Sequence, residues 1–223
     1  MTTRTPLRRD LADLKQRVYL LGEKCIEISD LYNLLLESYS NKLENRLIEI
    51  TNETKKECQE LNEQCFLVLT LQQPLIKDLR FVIGSLQIVL NLDKSTEQYY
   101  STLSLISDVN ILGTPIKNQL IKMAKKVQDL LKASLTLYLS SNINSYQESS
   151  KIFIEVSYLH DIIYKEILKE VALESGQKAQ IEAQLLATIR SLEKIADLAL
   201  NIADQVSYII VGKKRQEEEQ NLT

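Results

Sequence analysis

The chain predicts an all-α fold of six long helices, and three observations carry that expectation. Gly (5) and Pro (3) are scarce and Trp is absent in 223 residues, whereas a β-rich chain of this length needs many more turn residues. The few breakers fall between long segments of helical apolar periodicity. Those segments run for 25–33 residues, well above the globular mean of ~11–12, as expected of rods that bury apolar stripes against one another in a bundle.

The first helix is expected from near Leu7 to Tyr39, closed by the polar SYSNK. The second spans about Leu43 to Leu71, where QQP interrupts it. Pro74 suits the first position of a third helix, because its missing N–H would be unpaired there in any case; that helix extends to about Ile106. The stretch SDVNILGTP then carries Gly113 and Pro115 together and marks a boundary between two halves. A fourth helix fits 115–140 and ends in SSNINS. The fifth covers roughly 144–174, with Gly176 placed for a left-handed C-cap, and the sixth runs from about Lys178 to Val211. The last residues, GKKRQEEEQNLT, lack apolar periodicity and read as a frayed tail.

The halves resemble each other. Laying 89-VLNLDKSTE-97 on 189-IRSLEKIAD-197 pairs Leu92 with Leu192, Asp93 with Glu193, Lys94 with Lys194 and Glu97 with Asp197, an offset of 100 residues. That offset exceeds the 20–50 residues of a solenoid unit and fits duplication of a three-helix bundle. The division is 1–110 for one repeat, 111–212 for the other and 213–223 for the tail.

Composition narrows the function. A hydrophobic content of 44% and a charged content of 26% describe an ordinary globular chain, and a net charge of −3 with mixed signs offers no basic stripe for nucleic acid. No apolar run approaches the ~20 residues of a membrane span, and no signal core stands at the N-terminus. Cys25, Cys58 and Cys65 are odd in number and lack CxxC spacing, so buried free thiols in a reducing compartment are expected, and a cytoplasmic location with them. Cys58 and Cys65 lie seven apart on one face, where Cys acts as a small hydrophobe.

The chemistry sits in 192-LEKIADLALNIADQV-206. Glu193, Asp197 and Asp204 stack four and seven residues apart beside Asn201, on one edge of a broad apolar face. Like charges four apart destabilise a helix by ~0.2–0.5 kcal/mol, so a neighbouring base or a bound cation is required. Arg190 with Glu193 and Lys194 with Asp197 would supply surface ion pairs; a shared cation such as Mg, Mn or Fe would suit a carboxylate shell. Spacing alone suits the ion pairs better, the recurrence at Asp93 and Glu97 lifts the cation to an equal footing, and both readings stand. Glu49, Glu53, Glu57 and Glu60 form a solvated stripe near Arg46, Lys55 and Lys56. His160 and Asp161 are adjacent and point about 100° apart, which makes joint ligation of one ion difficult, and a lone His is more often a packing residue. Tyr99 and Tyr100 read as packing residues with hydroxyls at the boundary. With one His and no nucleophile elbow, P-loop or HExxH, catalysis finds little support.

The run 72-QQPLIKDLRFVIGSLQIVLNLDKSTE-97 resembles the signature of the PhoU family of phosphate-signalling regulators, and 192-LEKIADLALNIADQVSYIIVG-212 is similar to that family's second copy. The resemblance implies two related three-helix bundles, a homodimer, and acidic motifs that bind iron or zinc, with magnesium or manganese as alternatives. Carried over residue by residue, it points to Glu193 and Asp197 with Asp161 in the second half, and to Asp93 and Glu97 in the first. Both halves depart from the family: in the first, Lys55 falls where an Asp is expected and Thr96 replaces the motif Gly, and in the second, Ala196 replaces that Gly and Leu198 a His. The implied partners are the ATPase subunit of the phosphate ABC transporter and a phosphate-responsive sensor histidine kinase. The implied function is a non-enzymatic regulator that restrains both when phosphate is plentiful. A metal-free helical adaptor for another transporter and a metal-dependent hydrolase are the rival readings.

Overall fold

A computed structural model describes residues 5–109, 114–143, 146–173 and 177–212. Among the described residues the chain is helical apart from short corners, and no strand occurs. Three long helices come first, α1 (Thr5–Glu37), α2 (Asn41–Gln72) and α3 (Ile76–Ser101). A 3-10 turn, Leu103–Leu105, and the one-turn helix α4 (Ile106–Val109) follow. Three more long helices complete the set, α5 (Thr114–Ser140), α6 (Tyr146–Leu173) and α7 (Gln177–Val211). The positions of Gly113, Gly176 and the tail 213–223 fall outside the described residues.

Each rod forms because its apolar residues recur at three- and four-residue steps. In α1, Leu7, Leu14, Val18, Leu21, Cys25, Ile28, Tyr32 and Leu35 make one buried stripe. In α2 the stripe is Leu47, Ile50, Thr54, Cys58, Leu61, Cys65 and Val68, so two of the three free thiols take the place of aliphatic side chains. Thr54 is tolerated there because its hydroxyl donates to the Ile50 carbonyl at 2.7 Å. In α7, Leu185, Ile189, Leu192, Ile195, Ala196, Ala199, Ile202, Ala203 and Val206 are buried, and the three alanines let neighbouring helices come close.

Two helix ends differ from the expected ones. Pro74 does not open α3, which begins at Ile76 with Leu75 as its extended N-cap. Gln73 closes α2 in the left-handed region (φ 45°), and Pro74, buried in the corner, is used to complete the turn. At the other end α3 stops at Ser101 rather than running to Ile106, because Thr102 leaves helical geometry (φ −104°, ψ 2°). Its hydroxyl is bonded to the Tyr32 hydroxyl of α1 at 2.8 Å, which fixes the bend.

Helices α1, α2 and α3 pack on one another, as do α5, α6 and α7, and the two groups meet where α1 lies against α5 and α3 against α7. The buried side chains form one core that runs through all six rods. Both of the close inter-group approaches use a glycine. A Cβ on Gly22 of α1 would meet Leu135 Cδ1 of α5 at 2.7 Å, and one on Gly84 of α3 would meet Ile209 Cγ1 of α7 at 2.5 Å.

Candidate functional site: two acidic edges

In the first half, Asp93 and Glu97 sit one turn apart on α3, at the margin of the core rather than within it: Asp93 is half-buried and Glu97 exposed. Across from them α2 presents Lys55, whose Nζ lies 3.5 Å from Glu97 Oε1. The Cys58 thiol, one turn further along α2, borders Asp93. Burial and then the Glu97 charge push the Asp93 carboxyl above its ordinary range, while Lys55 and the Cys58 thiol pull the other way. Burial likewise pushes the Cys25 thiol up to about 12 and raises Cys58, so neither is a thiolate at neutral pH. Cys25 instead packs as a neutral group 3.5 Å from the Thr96 hydroxyl.

The raised Asp93 pKa has a consequence for stability. A carboxyl whose folded pKa exceeds its unfolded value of ~3.9 favours the folded state when protonated. That contribution is complete below the unfolded pKa and is lost as pH rises through the folded one. Asp93→Asn resembles the protonated form at every pH, so it is expected to raise the thermal midpoint at pH 7, with the gain over wild type vanishing near pH ~3, below the unfolded pKa. Thermal unfolding followed by circular dichroism checks this; a lowered midpoint at pH 7 would mean that Asp93 is stabilised by its charge.

In the second half the geometry differs. Glu193 and Asp197 again stand one turn apart at the edge of the core, both partly buried, on α7. The residue that α6 sets against them is His160, its side chain 14% exposed. His160 Nε2 lies 3.3 Å from Glu193 Oε2, within ion-pair distance, but the angles do not make a hydrogen bond, and this buried nitrogen has no hydrogen-bond partner. Nδ1, on the other side of the ring, lies 3.4 Å from Asp161 Oδ1. Tyr164, one turn on, stacks on the imidazole with centroids 5.9 Å apart. Asp161 itself is 71% exposed. Asp204 accepts a hydrogen bond from the Tyr146 hydroxyl, and Asn201 is exposed.

Several expectations change accordingly. Among the described residues Glu193 pairs with His160 rather than with Arg190, and no ion pair joins Lys194 to Asp197. Asp161 faces the imidazole rather than Glu193. The α2 stripe is paired: Glu49 with Arg46 at 2.8 Å, Glu57 with Lys24 at 2.8 Å and Glu60 with Arg17 at 3.1 Å. Two of those bases come from α1 rather than from α2 itself, and Lys55 goes to Glu97. Tyr99 is fully buried and donates to Ser29 Oγ at 2.9 Å, so its hydroxyl is not at the boundary, while Tyr100 is exposed. His160 is the residue that sequence reading set aside. Its spacing held the signal, since it stands four after Val156 and three before Ile163, both of the α6 core stripe.

The model described as PhoU domain matches two segments of this chain, residues 18–99 and 120–206. The chain belongs to the PhoU family. It is 30% identical over 182 residues to a phosphate-specific transport system accessory protein PhoU homolog of Synechocystis sp., with 79% of each chain covered. A homolog of the same description from Clostridium acetobutylicum is 23% identical over 216 residues, covering 95% of this chain and 97% of its own. Among solved structures, the phosphate transport system regulatory protein PhoU from Streptococcus pneumoniae superposes with a TM-score of 0.83 at 20% identity, covering 93% of this chain and 98% of that one. PhoU from Pseudomonas aeruginosa gives a TM-score of 0.83 at 18% identity, covering 92% of this chain and 99% of that one. These likenesses support a phosphate-transport regulatory role.

The family resemblance leads us to expect metal at the acidic edges, and the residues of the two halves differ in how they would fit one. In the second, an orphaned, buried imidazole nitrogen beside a carboxylate is a donor set that fits a divalent cation. In the first, the Lys55 ammonium already occupies the position of a positive charge beside Glu97, and the residues do not fit one. Among the described residues no three His, Cys, Asp or Glu side chains are gathered as a finished metal shell. No described helix is long and apolar enough to cross a membrane.

Proposed function

We propose that this chain is a non-enzymatic cytoplasmic regulator of phosphate homeostasis that works by docking. Its partners on this reading are the ATPase subunit of the phosphate ABC transporter and a phosphate-sensing histidine kinase, both restrained when phosphate is plentiful. Residues 1–110 and 111–212 act as two repeats that present separate faces, and the chain works as a homodimer. The observation that carries a docking role is an uncovered apolar corner. Phe66, Leu67 and Leu71 at the end of α2 and Leu75 and Ile76 at the start of α3 are all exposed, Leu71 by 74% and Ile76 by 78%. Large apolar side chains held together in water mark an interaction surface. The relatives, which are phosphate-specific transport system accessory proteins, support the transporter as partner.

Leu71→Glu/Ile76→Glu places two charges on that corner without touching the core. The expected result is at least about tenfold weaker binding to the transporter ATPase by calorimetry, the scale of a lost interface anchor, with an unchanged circular dichroism spectrum. Deleting the gene is expected to raise starvation-gene expression in phosphate-rich medium. Full-strength binding by the variant would move the docking face elsewhere, and unaltered expression and uptake would defeat the regulatory reading. The hydrolase reading is met by a phosphatase panel on metal-loaded protein, in which no turnover is expected.

A further inference from the structure

We infer that the chain pairs with a second copy of itself along the outer face of α6, antiparallel about a two-fold axis at the level of Ile163. This pairing rests on the reading of the chain as a homodimer and gives that dimer its surface. One side of α6 packs on α5 and α7, with Val156, Ile163 and Ile167 fully buried. On the opposite side Ile154, Tyr158, Asp161, Lys165, Leu168 and Ala172 are all exposed and succeed one another at alternating steps of four and three, the spacing of a coiled-coil seam. Single exposed apolar residues need no explanation, but Ile154 (67% exposed), Tyr158 (66%) and Leu168 (44%) share one stripe. The fold does not demand them. α2 holds the middle place in the first group of rods as α6 does in the second, and its outward residues Asn45, Asn52, Lys56, Gln59 and Glu63 are polar.

The stripe is complementary to itself when reversed, which selects a second copy over an unlike partner. In an antiparallel pair of such seams the two step types face each other. With the axis at Ile163, Asp161 meets Lys165 of the second copy, and the second copy's Asp161 meets Lys165. Outward from that centre, Tyr158 faces Leu168 and Ile154 faces Ala172, each pair occurring twice as an isologous interface requires. Charge also fixes the register: a parallel pair, or an antiparallel one with its axis at Asp161, would oppose Asp161 to itself. Both charged groups are available. Asp161 is 71% exposed, even with one oxygen 3.4 Å from His160 Nδ1. Lys165 is exposed and in no ion pair among the described residues, whereas Glu155 on the flank is held by Lys126 at 2.7 Å.

The test follows the full chain by sedimentation velocity over a concentration series. Wild type is expected to dimerise. Asp161→Lys and Lys165→Asp each set like charges against one another and are expected to weaken dimerisation at least about tenfold, whereas Asp161→Lys/Lys165→Asp is expected to regain it. An equimolar mixture of the two single variants is expected to form the mixed dimer, in which every charge again meets its opposite, and that recovery shows both variants to be folded. Tyr158→Glu, beside the charges, is expected to weaken dimerisation by a similar factor. Wild-type dimers that persist unchanged in both single variants would overturn the α6 surface and leave the homodimer reading intact. A wild type that is monomeric at every concentration would overturn both. Single variants that stay monomeric when mixed would overturn the pairing of Asp161 with Lys165.

Discussion

Gly22→Val is expected to destabilise the protein by about 2–3 kcal/mol and to lower the thermal midpoint by roughly 5–10 °C for a chain of this length. Gly normally costs a helix about 0.5–1 kcal/mol relative to Ala, so replacing it at an open position would help. At Gly22 the gain is outweighed. The new side chain would run into Leu135, which is itself buried and surrounded, and neither α1 nor α5 can withdraw without opening the core. Gly84→Val is expected to act in the same direction with a smaller effect, since Ile209 is only partly buried and has room to turn. Because both glycines lie where the two helix groups meet, the substitutions also probe cooperativity. One core joins all six rods, so calorimetry should show a single transition that moves as a whole. Two transitions, with only one displaced by Gly22→Val, would mean that the halves unfold independently.

How much of this was legible in the sequence follows from what periodicity can carry. The six rods were, because a buried stripe such as Leu14, Val18, Leu21, Cys25 and Ile28 announces itself at three- and four-residue steps. Helix ends were less so. Pro74 suits a first helical turn by its own geometry, yet the buried corner after Gln73 uses it to redirect the chain. The bend at Thr102 depends on a hydroxyl 70 residues away on Tyr32, which no local pattern records. The acidic edges showed their spacing along one helix but not what faces them. Arg190 and Lys194 are the neighbours in sequence of the α7 carboxylates, and local spacing therefore points to them. Packing of α6 on α7 instead brings in His160. Lys55 was the exception, visible as a departure from a family pattern and found 3.5 Å from Glu97.

That lysine makes the two edges physically unlike. At the α3 edge the positive charge, on Lys55 of the facing α2, is covalently part of the chain, always present and tethered by the methylenes of one side chain. On α7 no such charge is built in, and the imidazole beside Glu193 is neutral in one protonation state and an acceptor at Nε2 in one tautomer. The first edge therefore has its charge whatever the surroundings contain, whereas the second depends on what it can recruit.

Lys55→Asp is expected to convert the first edge into a cation-dependent one. Without metal, the carboxylate introduced on α2 would stand with Asp93 and Glu97 and add a third negative charge where Asp93 already suffers from burial and from Glu97. The lost ion pair contributes little, since both Lys55 and Glu97 are 55% exposed and such pairs give ~0–1 kcal/mol; the added repulsion raises the loss to about 1–2 kcal/mol. A divalent cation reverses the sign, because three carboxylates from two helices can share it as oxygen ligands. An ion at about 100 times its dissociation constant stabilises the folded state by about 2.7 kcal/mol. The variant should therefore melt below wild type in chelator and gain several degrees more than wild type when Mg²⁺ or Mn²⁺ is added. Lys55→Ala, which removes the charge without supplying a ligand, should show only the small loss of the ion pair and none of the gain. If Lys55→Asp responds to metal no more than Lys55→Ala does, the α2–α3 edge cannot close on an ion, and Lys55 is merely one more surface base.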